Sequence, residues 1–494
     1  MIIDSHIHFP GGCEKQPGIG RRIVELARKS GIGICVVSHI FGEKMGANLH
    51  FPESEGVALA NRFAAREASA NPGRLFFMGY INPQCPDWQE EMEQCAAEGA
   101  CGIKLWVSLK DARGSLANTV NVLRRASLMR LPVYLHVFNR TGGNLPGEIC
   151  MEEFVELAQE VPDCRMIAGH TGGNWRRSAE VLKRCPDNAW METGGSNPDY
   201  GMVDGILRFC PPEKLLYGSD GPGRAFFPQI WKILESSLSP SERERVLWKN
   251  AMELLHLPEP PEGDWPTIPP SPKEPENDYC CFCGHYPFET RPENTPEQLE
   301  RLLEEEGIAA AFTADFGAIF SPHPMTGNRS YLEKCRCLSR VKPLAVVNPN
   351  DREWEASLKE ISASTEWSGL WLSPAFHQWQ LDAPEHIEFL RQCASLGKTL
   401  FINCGCYEPR FFQPETPFRE VAEKELRHFL EMAPSGNIVI QGAIPPRGIK
   451  GTALWCYTQL TDRGSALPAD IPLVRGSEYP FRHLHETFAA SNSL

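Results

Sequence analysis

Eight short apolar runs, separated by stretches of helical periodicity, occupy the first half of the chain, and this alternation constrains the fold more than any other feature. The first run is Ile2-Ile3-Asp4-Ser5-His6-Ile7-His8. It is followed by Ile34-Cys35-Val36-Val37, Leu75-Phe76-Phe77-Met78, Gly102-Ile103-Lys104-Leu105-Trp106, Val133-Tyr134-Leu135-His136, Arg165-Met166-Ile167-Ala168, Ala189-Trp190-Met191-Glu192 and Leu215-Leu216-Tyr217-Gly218. Strands that alternate with helices pair in parallel, because each helix carries the chain back to the start of the next strand. Eight such units in roughly 250 residues is the size of a (β/α)8 barrel, whose active site lies at the C-terminal ends of its strands. A doubly wound sheet would need a glycine-rich phosphate loop after the first strand, where this chain has His6, His8 and Pro10.

From Pro258 to Pro275 the chain carries eight prolines among Glu, Asp, Ser and Lys. Such a segment continues neither a helix nor a central strand and favours extended geometry. The reading is a domain over 1–257, a linker over 258–277 and a second domain over 278–494. Features of the first domain recur in order in the second. Asn82-Pro83 and Trp88 match Asn348-Pro349 and Trp354 with the same spacing, and the distance from Gly102 to His136 equals that from Gly369 to Asn403. Gly218-Ser219-Asp220 and Arg224 match Gly476-Ser477-Glu478 and Arg482. The expected architecture is therefore α/β: two tandem (β/α)8 TIM-type barrels, the second smaller and degenerate.

A net charge of -14 with no basic stripe argues against nucleic acid, which needs clustered Lys and Arg to neutralise phosphate. No apolar run is long enough to cross a bilayer. The first residues enter a strand pattern without the features of a secretion signal, so a cytoplasmic location is expected. The 18 cysteines are dispersed and fall mostly in apolar runs, as reduced thiols do.

Side chains alternate along a strand, so His6 and His8 project from one face and converge on one point, a pair suited to hold a metal. Other ligand-type residues end other predicted strands: Lys104 the fourth, His136 the fifth, His170 the sixth and Asp220 the eighth, each before a polar, glycine-rich loop.

This ordered set resembles the amidohydrolase superfamily, most closely its amidohydrolase-related (amidohydrolase 2) branch, over residues 1 to 257. That branch includes metal-dependent hydrolases, lactonases, hydratases and nonoxidative decarboxylases. The residues that carry the likeness are Asp4-Ser5-His6-Ile7-His8, Gly102-Ile103-Lys104-Leu105, His136, His170-Thr171-Gly172-Gly173, Gly218-Ser219-Asp220 and Asn250-Ala251-Met252-Glu253-Leu254-Leu255. The resemblance implies that His6, His8, His136 and Asp220 bind a divalent metal, zinc before manganese or iron. It implies that a water on that metal, activated as hydroxide, is the nucleophile, that Asp220 moves its proton, and that His170 polarises the substrate carbonyl or stabilises an oxyanion. Lys104 has two readings. One is a pairing with a carboxylate beside a single ion; the other is a carbamylated bridge between two ions.

Arg140, Asn174, Trp175, Arg176 and Asn197 follow strand ends and are candidates to shape a small-molecule site, Arg140 by gripping a carboxylate. Arg224, matched by Arg482, reads as structural, and Asp4 as a group that orients the strand or a ligand. His39, His50 and His256 read as ordinary surface or hydrogen-bonded histidines. Aligning Pro10 with Pro287 in the second domain sets Asp4 against Cys281, His6 against Cys283 and His8 against His285, with Trp371 at the place of Lys104 and Asn403 at that of His136. Catalysis there is expected to be lost. Cys283, His285, Cys404, Cys406 and Glu478 leave open a structural zinc site, and the domain could stabilise the first barrel, cover part of its mouth or supply a homo-oligomer interface. Three functions follow in order: a hydrolase opening an amide or lactone of a small, carboxylated substrate; a decarboxylase or hydratase on the same metal; a noncatalytic binding protein.

Overall fold

The computed structural model describes the chain apart from residues 11–12, 17, 41–52, 107–108, 112, 141–142, 196–200, 222–225, 259–264, 269–276, 288–293, 406–418, 420, 433–436, 444–452, 458–472 and 478–494. His50, Asn197, Arg224, Cys406, Glu478 and Arg482 thus lie outside the described residues. The chain divides into two compact units, one of Met1–Pro270 and one of Ser271–Ser491.

The first unit holds eight parallel strands in sequential order: β1 (Ile3–His8), β2 (Ile34–Ser38), β3 (Leu75–Tyr80), β4 (Gly102–Leu105), β5 (Val133–Leu135), β6 (Met166–Ala168), β7 (Ala189–Glu192) and β8 (Leu215–Leu216). The end of β8 returns to β1 to close the ring: Ser5 N–H donates to Tyr217 O at 3.1 Å, His8 N–H to Gly221 O at 2.8 Å and Asp220 N–H to His6 O at 2.8 Å. All eight predicted strands are present. They read as nearly continuous apolar runs because both faces are covered. Cys35, Val37, Phe77, Ile103, Leu105, Val133 and Leu135 pack against helix residues such as Ile23, Phe63, Met92, Val122 and Phe154. The alternating partners Ile34, Val36, Tyr134, Ile167 and Leu216 belong to another cluster. The helix Ile19–Lys29 shows the logic: Ile19, Ile23, Val24 and Ala27 recur at helical spacing and are buried, while Arg21, Arg22 and Glu25 face water. Within the proline-rich segment, Trp265 lies on Gly33 and Ile268 on Gly31, both contacts inside the first unit. A side chain at Gly33 would collide with the indole.

The second unit holds another eight parallel strands: β9 (Asn277–Cys283), β10 (Ala310–Asp315), β11 (Val341–Val346), β12 (Gly369–Leu372), β13 (Thr399–Asn403), β14 (Ile438–Gln441), β15 (Ala453–Tyr457) and β16 (Leu473–Arg475), again in sequential order. Its closure corrects the register given by the prolines. In the first barrel Asp4 Oδ1 accepts from His6 N–H at 3.1 Å and Ser219 N–H at 2.9 Å. In the second, Asp278 Oδ1 accepts from Cys280 N–H and Ser477 N–H, both at 3.0 Å. Asp4 therefore corresponds to Asp278, His6 to Cys280 and His8 to Phe282. The proline alignment was three residues out, which on a strand also exchanges the two faces.

Candidate metal centre

The strand alternation of β1 turns Asp4, His6 and His8 toward one interior. His6 reaches across it to Tyr134 on β5, Lys104 on β4 and Glu192 on β7. His6 Nε2 lies 2.9 Å from His8 Nε2 and 3.7 Å from Asp220 Oδ1, and His8 Nε2 lies 3.5 Å from the same oxygen. His6, His8 and Asp220 are thus a group of donors able to hold one metal ion. Ligands bonded at ~2.0–2.2 Å to one tetrahedral or octahedral ion stand roughly 2.8–3.6 Å apart, so the His6–His8 and His8–Asp220 separations fit a common ion and the His6–Asp220 one is within about 0.1 Å of that range.

The hydrogen-bond network assigns the tautomers. His8 Nδ1–H donates to Ser38 O at 3.2 Å. His6 Nδ1 is 2.7 Å from Tyr134 Oη, and that hydroxyl donates to Glu192 Oε2 at 2.6 Å, so the imidazole is the donor in the first link. Both Nε2 atoms are left unprotonated and face each other, with Lys104 Nζ also 3.2 Å from His6 Nε2, an arrangement that a cation between the two rings stabilises. Burial, with the neighbouring Lys104, His170 and His136, sets the His6 pKa well below its ordinary value against the opposing charge of Asp220, keeping the ring neutral. Burial does the same for His8.

Lys104 is buried beneath the histidines, with Nζ 3.2 Å from His6 Nε2 and 3.8 Å from the centre of the Tyr134 ring. Burial pulls its pKa down to about 7, opposed by the charges of Asp220 and Glu192. Among the described residues no carboxylate is ion-paired with it.

His136 stands apart from the three-donor group. Its Nε2 bonds Glu148 Oε1 at 3.0 Å and its Nδ1 faces His170 Nε2 at 3.3 Å. Burial opposes charge on Glu148, but bonds from His136 and Arg140 outweigh it and hold the carboxyl down to about 2. His170 donates its backbone N–H to Glu192 Oε2 at 2.9 Å, and its Nδ1 sits 3.0 Å from Gly194 O. Two of these residues occupy the left-handed backbone region, His170 with φ 59° and Asp220 with φ 63°, which side-chain-bearing residues adopt at a cost.

The flanking candidates are placed as follows. Arg140 grips Glu148, Nε to Oε2 at 2.6 Å. Asn174 caps the helix Trp175–Leu182 by accepting from Arg177 N–H. Trp175 packs its ring against Gly205, and the Arg176 guanidinium lies over that ring at 4.2 Å. Asp4 is buried and orients β1 through the two N–H bonds given above. Sequence reasoning missed Tyr134, Glu148 and Glu192. Glu192 did carry a signal, as the charged end of the run Ala189-Trp190-Met191-Glu192.

In the second barrel the equivalent interior is largely filled by apolar side chains and thiols, with buried Ser373, Asn403 and Gln441 bonded to one another. Cys280, Phe282, Trp371, Phe401 and Cys456 pack in one cluster. Gly476 has Cys280 and Cys456 beside it, where Gly218 of the first barrel has His6 and Glu192. Trp371 Nε1–H is satisfied by Gln441 Oε1 at 3.1 Å. Among the described residues no metal-holding group includes Cys283, His285 or Cys404.

No curated protein matches the chain. Solved structures similar to it include a 2,6-dihydroxybenzoate decarboxylase from Rhizobium, with TM-score 0.41, 17% identity and coverage of 52% of this chain and 98% of that one. A 5-carboxyvanillate decarboxylase from Sphingomonas paucimobilis has TM-score 0.39 and 15% identity, covering 52% of this chain and 99% of that one. A dihydroxybenzoic acid decarboxylase from Polaromonas sp. JS666, with bound manganese and an inhibitor, has TM-score 0.41 and 16% identity over 52% of this chain and 97% of that one. The family model described as Amidohydrolase matches residues 3–257, more than half of the chain. The protein is a member of the amidohydrolase family.

Proposed function

We propose that the first barrel is a metal-dependent hydrolase that opens an amide or lactone of a small, carboxylated substrate. The observation that carries this reading is the convergence of two neutral Nε2 lone pairs and one carboxylate oxygen, with Asp220 the most solvent-exposed of the three at 24%. A divalent cation, zinc before manganese or iron, supplies Lewis acidity there and brings the pKa of water toward neutrality. His6, His8 and Asp220 hold it, and His136 is the fourth proposed ligand. Asp220 takes the proton of the attacking water and returns it to the leaving group. His170, with Nδ1–H held on Gly194 O, presents its Nε2 to the site, and its burial keeps the ring neutral. Lys104, poised near neutral pH, supplies the positive charge for a substrate carboxylate or developing oxyanion.

Arg140 is occupied by Glu148, so in this reading it shapes the β5 loop, while Asn174, Trp175 and Arg176 border the mouth. The facing pair His136 Nδ1 and His170 Nε2 favours a second reading of the metal count, two ions bridged by a carbamylated Lys104. The aromatic rings of Trp106, edge-on, and Phe138, stacked, beside His136 favour a second reading of the reaction, decarboxylation of an aromatic acid. The second barrel, filled by Trp371 and its neighbours, is noncatalytic. The 17 described cysteines are free thiols, which suits the cytoplasm. Screening lactones and N-acyl compounds for acid release, against carboxylated aromatics for carbon dioxide release, tests the reaction. Turnover only of the second group would replace hydrolysis with decarboxylation.

A further inference from the structure

A second group of metal-type donors lies outside this centre, after β1 and at the end of β2. Cys13 and Glu14 sit in the single turn Cys13–Lys15, and His39 follows Ser38, the residue that holds His8. Their ligand atoms lie within 4.8 Å of one another. His39 is fully buried, with Nε2 2.6 Å from Glu14 Oε1, and Phe9 and Phe63 pack against its ring at 5.7 Å and 5.2 Å. Cys13 is also fully buried. His39 Nδ1 and Glu14 Oε2 are buried and have no hydrogen-bond partner among the described residues. A buried imidazole bonded to a partly buried carboxylate beside a buried thiol, with one further buried atom of each of the first two left unpartnered among the described residues, is a costly arrangement unless something shares those donors.

We propose that Cys13, Glu14 and His39 bind a second divalent cation, zinc by the chemistry of one sulfur, one nitrogen and one oxygen donor. Three protein ligands with an apolar wall on one side match a zinc site completed by water. The ion ties the turn after β1 to the end of β2, and so steadies Ser38 and the His8 ring it bonds. Binding releases the thiol proton, which burial otherwise retains by raising the pKa to about 12.

Cobalt substitution tests the site independently of the first, because His6, His8, His136, His170 and Asp220 offer only nitrogen and oxygen. The full-length protein, stripped of metal and titrated with cobalt(II), is expected to show a thiolate-to-cobalt charge-transfer band. The band should persist in His6→Ala and vanish in Cys13→Ser and His39→Gln, with loss of one cobalt equivalent in each. Absence of the band in the wild-type protein, or its retention in Cys13→Ser, overturns the site. Glu14 is partly exposed, so Glu14→Gln keeps the test open should Cys13→Ser fail to fold: folded Glu14→Gln protein with unchanged band and cobalt affinity also contradicts the site.

Discussion

Tyr134 acts on the centre through a single hydroxyl that receives His6 Nδ1–H and passes its own proton to Glu192. It is a positioning residue, and outer partners of this kind typically contribute 10–100-fold to metal affinity. Tyr134→Phe should therefore weaken metal binding by about 10–100-fold in a chelator competition while leaving the fold intact; unchanged affinity would remove Tyr134 from this role. Asp4 is a second case. Burial pushes its carboxyl up to about 8, and Oδ2 has no partner, so a neutral group of the same shape suits the site. Asp4→Asn should be tolerated, whereas Asp4→Ala leaves two buried N–H groups without an acceptor and should cost about 1–3 kcal/mol in urea unfolding. Equal stability of the two variants would contradict that assignment. The histidines, Lys104 and Asp220 were legible because each ends an apolar run. Tyr134 was not, because a tyrosine inside a strand reads as core. Glu148 was not, because its place beside His136 depends on how a loop folds back.

At the scale of the element, the loop after β5 is held by Glu148, which is buried and bonded to His136, to Arg140 and to the Leu145 N–H at 3.0 Å. Glu148→Gln keeps the shape but leaves the Arg140 charge without its partner. Loss of one member of a buried pair costs roughly 3 kcal/mol, read as a lower urea midpoint for the first barrel. No shift in that midpoint would mean the loop is held elsewhere. The strand pattern was legible element by element because parallel strands covered on both faces are marked by apolar runs that polar turns interrupt. The register of β9 was not. Pro10 and Pro287 are landmarks beyond the strands, and the loops they mark differ, whereas the Asp–Ser bonds that fix Asp4 and Asp278 join residues some two hundred positions apart. The positive φ of His170 and Asp220 is only weakly marked in the sequence, by residue types that tolerate the left-handed region better than most.

At the scale of the whole molecule, two barrels share a closing device but differ in what fills them. Asp278 is buried, and burial lifts its carboxyl to about 6 against bonds from Ser477 and Cys280. The folded state then holds a proton that the unfolded chain releases, so this contribution is complete below the ordinary Asp value and is lost as pH rises through about 6. Asp278→Asn should flatten the fall in stability of the second barrel between pH 4 and 7, a term on the order of 1–3 kcal/mol; an unaltered slope contradicts it. Trp371→Ala should destabilise that barrel by roughly 3–5 kcal/mol while turnover in the first is unaffected, and a fall in specific activity of the folded variant would instead show that the second barrel takes part in catalysis. The central claim concerns the first barrel, and the most direct test is the metal content of wild-type protein against the His6→Ala/His8→Ala double variant, each folded and dialysed against the same buffer. The account predicts that the variant loses at least one equivalent of divalent metal together with all turnover. Retention of the full wild-type metal content by the variant would contradict it.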